Sequence, residues 1–338
     1  MLVLALCFSL IACGGGSTSS GGGSGATGGG DVYSAVWKYT HTDSDQRTNH
    51  AAGLLLADYI AANTDGNVTV ELYPNAVLGD DFELIKGLQL GTVELYTGSA
   101  ANFGGNFGEK CDILDLPYIY DGYDNWVYGL DRPGGGGEIY GKILADNGIT
   151  LLGLMYDGSR SVSNNIRPIN VLADMKGIKV RVMNTKVYLS MHQAMGANPT
   201  PMSFGEVYTG LAQGTVEGHD CPPCMTVDKK FYEVTKYYSL TEHTMSPAPF
   251  AVSTSWLESL PADIRSIFEA GSEMILAWQR AEEHSLEVDF LKEINDNGCI
   301  VNEVPSKEPF KQAVKPVYDD WRDAVGADIV DALIASGQ

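Results

Sequence analysis

The chain has 338 residues, with 22 Lys and Arg against 43 Asp and Glu and a formal net charge of −21. No basic patch can collect phosphates against that background, which excludes nucleic acid as a partner. With 44% apolar and 19% charged residues the composition is globular, and about 300 residues past the N-terminal segment exceed one ordinary core, so two lobes are expected.

Residues 1–30 carry no charge, and the apolar run ends at Ala12. About eleven apolar residues fall short of the roughly twenty that a membrane span needs, so residues 1–13 read as a signal peptide. Leu10-Ile11-Ala12-Cys13 resembles a lipobox, in which Cys13 is lipidated and becomes the mature N-terminus. Residues 14–30 would then form a flexible Gly/Ser tether to the membrane. No Lys or Arg precedes the apolar run, an unusual start for such a leader. Beyond it, Cys111, Cys221, Cys224 and Cys299 allow three disulfide pairings between which the sequence does not choose. Cys221-Pro-Pro-Cys224 lacks the second pair of a zinc ribbon and lies far from a thioredoxin-like opening, so no metal or redox role is read from it. Two prolines in extended form would hold these cysteines roughly 9 Å apart, too far for a bridge unless a helix starts at Pro222.

Alternating apolar residues predict a strand over Tyr33–Tyr39, a helix over Thr48–Ala62 and a strand over Val68–Tyr73 ended by Pro74. A helix opens at Leu78-Gly79-Asp80-Asp81, with acids in its first turn as the dipole prefers, and closes at Gly91. A third strand covers Val93–Thr97. Strands alternating with helices imply right-handed crossovers, a mostly parallel sheet, and a ligand at the carboxyl ends of the strands. Gly136, Gly141 and Lys142 imitate a phosphate loop, but Ile143 replaces the required Ser or Thr and no strand feeds it. Residues 132–142 are therefore a surface turn leading into a helix. Neither G-x-S-x-G nor H-E-x-x-H occurs after residue 30, so neither hydrolase signature is present and no catalytic set is assigned. Ile149–Tyr156 is a buried strand, followed directly by Asp157-Gly158-Ser159-Arg160.

The densest pattern runs from Asp174 to Pro223. Val180-Arg181-Val182 is a short strand after a Lys-Gly turn, which mounts the guanidinium of Arg181 on a pleated, β-branched frame. A helix over Lys186–Met195 follows. A second opens near Ser203, with Glu206 at the spacing of a capping box. The stretches Asp174–Arg181, Gly196–Gly214 and Val216–Pro222 together resemble the solute-binding proteins of TRAP (tripartite ATP-independent periplasmic) transporters. Those proteins carry D-x-K-G-x-K-x-R, G-A-x-P-T-P-M-x-F-x-E-V-Y-x-x-L-Q-x-G and V-D-G-x-E-N-P in that order. Leu72-Tyr73-Pro74, Leu78-Gly79-Asp80, Leu116-Pro117-Tyr118 and Tyr237–His243 extend the likeness, and Gly158-Ser159-Arg160 resembles the G-x-R of a second pocket arginine.

The resemblance implies a two-lobed, periplasmic-binding-protein-like α/β fold, each lobe a mostly parallel sheet flanked by helices. Lobe I is expected over 31–157 plus 247–286, and lobe II over 158–246 plus 287–338, with Tyr237–Ala251 as the return crossing. Apolar residues at helical spacing from Ile264 to Ile294 predict one helix of about 35 residues and roughly 50 Å, long enough to bridge both lobes. The expected ligand set is Arg181, Arg160, Cys221, Phe204, Asn184, Asp81, Ser99 and His41, with neither cofactor nor metal. A planar guanidinium takes a carboxylate through two parallel hydrogen bonds, so the ligand is a small organic acid. The resemblance further implies delivery to an ion-gradient-driven membrane permease.

Two departures bear on which acid. Cys221 stands where the family places Asn, and a thiol is a weaker donor and acceptor than an amide. Ser99 and Asn102 stand where sialic-acid-type members carry an acid and an Arg, which disfavours sialic acid and points to a smaller or more apolar ligand. Two other readings remain open: an extracytoplasmic lyase or isomerase using Arg181 and His243, and a sensor module presenting its ligand to a receptor. His243, with no nucleophile pattern around it, is read as structural.

Overall fold

The computed structural model describes residues 32–338; the signal-peptide, Cys13 and tether expectations lie outside the described residues. The first half alternates as the sequence pattern demands: β1 (Ala35–Thr40), α1 (Thr48–Asn63), β2 (Val68–Tyr73), α2 (Asp81–Leu90) and β3 (Leu95–Thr97). Asp80 caps α2 through a complete capping box with Glu83, and Gly91 ends the helix in the left-handed region at φ 72°, a conformation that suits a residue without Cβ. Three helices follow, α3 (Ala101–Phe107), α4 (Tyr123–Asp131) and α5 (Gly136–Ala145). The glycine-rich stretch is thus mostly helix, and its turn is confined to residues 132–135.

β4 (Ile149–Asn164) is a single strand of 16 residues. The expected strand therefore does not stop at Tyr156; Arg160 lies within it, past a register shift between Tyr156 and Ser159 where Gly158 takes φ +90°. The second half contains β5 (Lys179–Val182), α6 (Lys186–Ala194), β6 (Asn198–Pro201), α7 (Val207–Ala212), β7 (Gly218–Cys221) and α8 (Pro223–Asp228). The capping box expected at Ser203 does not form. Ser203 Oγ instead donates to Glu206 Oε2 at 2.6 Å, and a 3₁₀ turn over Phe204–Glu206 delays the helix to Val207. The chain then runs through β8 (Tyr237–Ser253), α9 (Thr254–Ser259), α10 (Ala262–Asp296) and β9 (Ile300–Glu303) to three C-terminal helices, α11 (Glu308–Ala313), α12 (Lys315–Val325) and α13 (Ala327–Ser336).

All nine described strands form one sheet in the order β2-β1-β3-β8-β4-β7-β5-β6, with β9 beside β8. β1, β2 and β3 are parallel, as are β7, β5 and β6. The two parallel sets hang on opposite ends of the long antiparallel pair β4 and β8: β3 pairs with Phe250–Val252, and β7 with Ser161–Asn164. That arrangement makes the fold two-lobed. Sixteen extended residues reach about 53 Å and the 35 residues of α10 about 52 Å, so strand pair and helix match in length. Buried Ile264, Phe268, Ile275 and Leu276 form one stripe on α10, and Phe268 meets Trp37 and Trp256 edge-on. No described helix is long and apolar enough to cross a membrane.

Candidate functional site

The carboxyl ends of β1, β3, β5, β6 and β7 converge on a cleft of about 670 Å³, the place where open α/β sheets bind ligands and a volume in the usual range for small molecules. Seven of the eight expected ligand residues line it: Asp81, Ser99, Arg160, Arg181, Asn184, Phe204 and Cys221. His41 does not. Its backbone N–H continues the β1 pairing by donating to the Tyr73 carbonyl, and its buried ring turns to His50, Nε2 to Nδ1 3.1 Å. Thr42 and Asp43 reach the cleft instead.

Arg181 is held by the frame its neighbours build, since Val180 and Val182 are fully buried. Its Nε and Nη2 both donate to the Met202 carbonyl, at 3.0 and 2.8 Å, and Phe204 lies beneath the guanidinium at 5.7 Å. Among the described residues no carboxylate pairs with it. Burial, with Arg160 nearby, lowers its pKa although the Cys221 thiol opposes this. A buried, uncompensated cation is costly unless an anion joins it.

Arg160 is compensated. Its Nε donates to Asp220 Oδ1 at 2.7 Å and its Nη2 to the Asp220 carbonyl at 2.5 Å, with Tyr188 under the guanidinium at 4.7 Å. Burial alone would raise the Asp220 carboxyl; the Arg160 guanidinium is the largest influence against it, and the carboxyl is held well below the ordinary range. His243 belongs to this buried network, with Nδ1 2.9 Å from Thr241 Oγ1, and does not line the cleft. The four described thiols, Cys111, Cys221, Cys224 and Cys299, are all unpaired and buried. α8 does start beside Pro222, yet Cys224 Sγ donates to the Asp157 carbonyl at 3.0 Å while Cys221 faces the cleft.

Across the cleft, Asp81 Oδ1 accepts from the Tyr96 hydroxyl at 2.8 Å and Thr42 Oγ1 at 3.0 Å. Desolvation lifts this carboxyl to about 6, with Asp43 adding to the rise and the two hydroxyls opposing it. The cleft thus carries cations on one side, with acids Asp43, Asp80 and Asp81 elsewhere in its lining. Sequence reasoning missed Asp43, Asp220 and Lys229. Asp220 had a signal, its place beside Cys221, but its partner Arg160 lies sixty positions away.

The DctP family model, bacterial extracellular solute-binding protein, family 7, matches residues 39–323. The chain is 33% identical to a solute-binding protein of Chromohalobacter salexigens over 78% of each chain. Its fold is similar to that of a TRAP periplasmic solute-binding protein from Sulfitobacter with bound β-D-galacturonate, at a TM-score of 0.85 and 28% identity over 89% of this chain and 100% of that one. A sugar acid binding protein from Advenella mimigardefordensis in complex with galactonate gives a TM-score of 0.86 and 27% identity, over 91% and 99%.

Proposed function

The chain belongs to family 7 of the bacterial extracellular solute-binding proteins, those of TRAP transporters, and from that premise we propose that it captures a hydroxylated monocarboxylic acid and delivers it to an ion-gradient-driven permease. The observation that carries this reading is the buried guanidinium of Arg181, which faces a cleft of ligand size with no carboxylate of its own. A ligand carboxylate supplies the missing charge, and one more hydrogen-bonding edge of the guanidinium remains to meet it. Asp43 and Asp81 accept hydrogen bonds from ligand hydroxyls and repel a second carboxylate, which favours a monoacid over a dicarboxylate. Cys221 removes one amide grip, and these acids replace part of it. The galacturonate and galactonate of the similar structures fit the same chemistry.

The remaining expectations stand as part of this proposal: Ser99, Asn184 and Phe204 complete the contacts, lobe I covers 31–157 plus 247–286, and lobe II covers 158–246 plus 287–338. The register shift between Tyr156 and Ser159 supports a boundary there. Lipidation at Cys13 ties the protein to the outer face of the membrane, and mass spectrometry of the native N-terminus tests it. Titration calorimetry with galacturonate, galactonate and succinate tests the ligand class. Saturable one-to-one binding of a monoacid, recovered unchanged by NMR, is expected. A preference for succinate overturns the monoacid assignment, and conversion of the bound acid overturns the binding-protein reading in favour of an enzyme.

A further inference from the structure

Beside Arg160 and outside the cleft lining, three polar side chains from three elements meet: His192 of α6, Asp220 of β7 and His243 of β8. All three are fully buried. Asp220 Oδ2 lies 3.3 Å from His192 Nε2 and 3.2 Å from His243 Nε2, yet none of these three atoms makes a hydrogen bond of acceptable geometry. Three orphaned buried polar atoms at one point are unusual.

The tautomer of His192 sharpens the conflict. Its Nδ1 lies 3.1 Å from the Tyr188 carbonyl, and a carbonyl only accepts, so the ring proton sits on Nδ1. With that proton on Nδ1, Nε2 of the neutral ring presents a lone pair to a carboxylate oxygen, two acceptors face to face with no donor between them. His243 is free to do the same. Its Nδ1 can donate to Thr241 Oγ1, because that hydroxyl has a second lone pair for the Val162 N–H it already accepts.

We propose that His192, His243 and Asp220 form a structural binding site for a divalent transition-metal ion of the zinc class. Two imidazole nitrogens and one carboxylate oxygen are ligands such ions take. Metal–ligand bonds of about 2.0–2.1 Å at tetrahedral angles place neighbouring ligand atoms about 3.3 Å apart, which matches both His–Asp separations. The outer contacts are those of ligating residues: one imidazole donates to a backbone carbonyl, the other to a hydroxyl, and the carboxylate's second oxygen is held by Arg160. An ion here would staple α6, β7 and β8 together beside a cleft arginine.

Because the ligands are buried, the test loads the metal during folding. The full chain is unfolded in denaturant with chelator, desalted, and refolded with Co²⁺ or Zn²⁺. One Co²⁺ per chain with a visible ligand-field spectrum is expected, together with a higher melting temperature in one equivalent of Zn²⁺. His192→Gln, which does not line the cleft, should lose both the stoichiometric ion and the thermal shift while keeping a cooperative unfolding transition. If that variant fails to fold, X-ray absorption on the zinc-loaded parent decides, with two imidazoles in the first coordination sphere as the expected result. Refolded parent protein without stoichiometric metal, an ion retained in folded His192→Gln, or a sphere without two imidazoles would each overturn the site.

Discussion

Arg181 and Asp81 both line the cleft, and the proposed role of each gives a separate measurement. Truncating one partner of a buried charge pair costs about 2–5 kcal/mol of binding, so Arg181→Ala should abolish detectable binding in calorimetry. Arg181→Lys should leave weak binding, since the charge survives and the planar two-bond grip does not; unchanged affinity in the alanine variant removes the centre of the assignment. Asp81, lifted to about 6 by desolvation, is neutral below that pH and anionic above it. An anionic Asp81 repels the ligand carboxylate, so affinity should fall as pH rises through about 6. Asp81→Asn should flatten that part of the curve. Asp115 and Asp157, both raised to about 7 chiefly by burial, remain in the variant, and the difference between the two curves isolates Asp81. These residues were legible in the sequence because Arg181 sits within a short β-branched strand and Asp81 opens a helix, each in a recognisable local pattern. His41 misled because one more backbone hydrogen bond kept it in the sheet and turned its ring under α1. The His192, Asp220 and His243 cluster was illegible for another reason: its members share no spacing, and only the meeting of α6, β7 and β8 brings them together.

Elements whose signal is local were read nearly to their ends, and those fixed by distant partners were not. The period of α10 and the caps of α2 lie within the segments themselves. The continuation of β4 past Gly158 is dictated by β8 and β7, which follow far later in the chain. What joins α10 to the sheet is polar as well as apolar. Arg47, just before α1, donates to Asp157 of β4 at 2.8 Å and to Glu283 of α10 at 2.9 Å, all three nearly fully buried. Gln279 accepts from the Tyr156 N–H at 2.9 Å and donates to the Tyr156 carbonyl at 2.8 Å, bonding to backbone where the β4 register shifts. Removing one partner from such a buried ionic set costs about 3–5 kcal/mol. Arg47→Ala should therefore lower the urea midpoint by that equivalent with an unchanged m-value. A shift below about 1 kcal/mol would show that the triad contributes no more than an exposed pair does.

At the scale of the molecule, β4, β8 and α10 all run the length of the fold, so closure on a ligand has to bend strands and a helix. Binding to the native state alone couples ligand to global stability: at one hundred times its dissociation constant the acid should add about 2.7 kcal/mol, read as a raised midpoint in chemical denaturation. Stabilisation that fails to grow with ligand concentration would place the interaction outside that linkage. The sheet order also carries a consequence for biosynthesis. β8 lies between β3 and β4, although some seventy residues separate β4 from β8 in the chain. Until Tyr237 and its successors have left the ribosome, β3 and β4 lack the strand that joins them, and α1 lacks the helix it packs against. Pairings so distant in sequence form late and slowly. The strand that locks the sheet thus begins only at Tyr237, so the first half of the chain emerges with its central pairing still open.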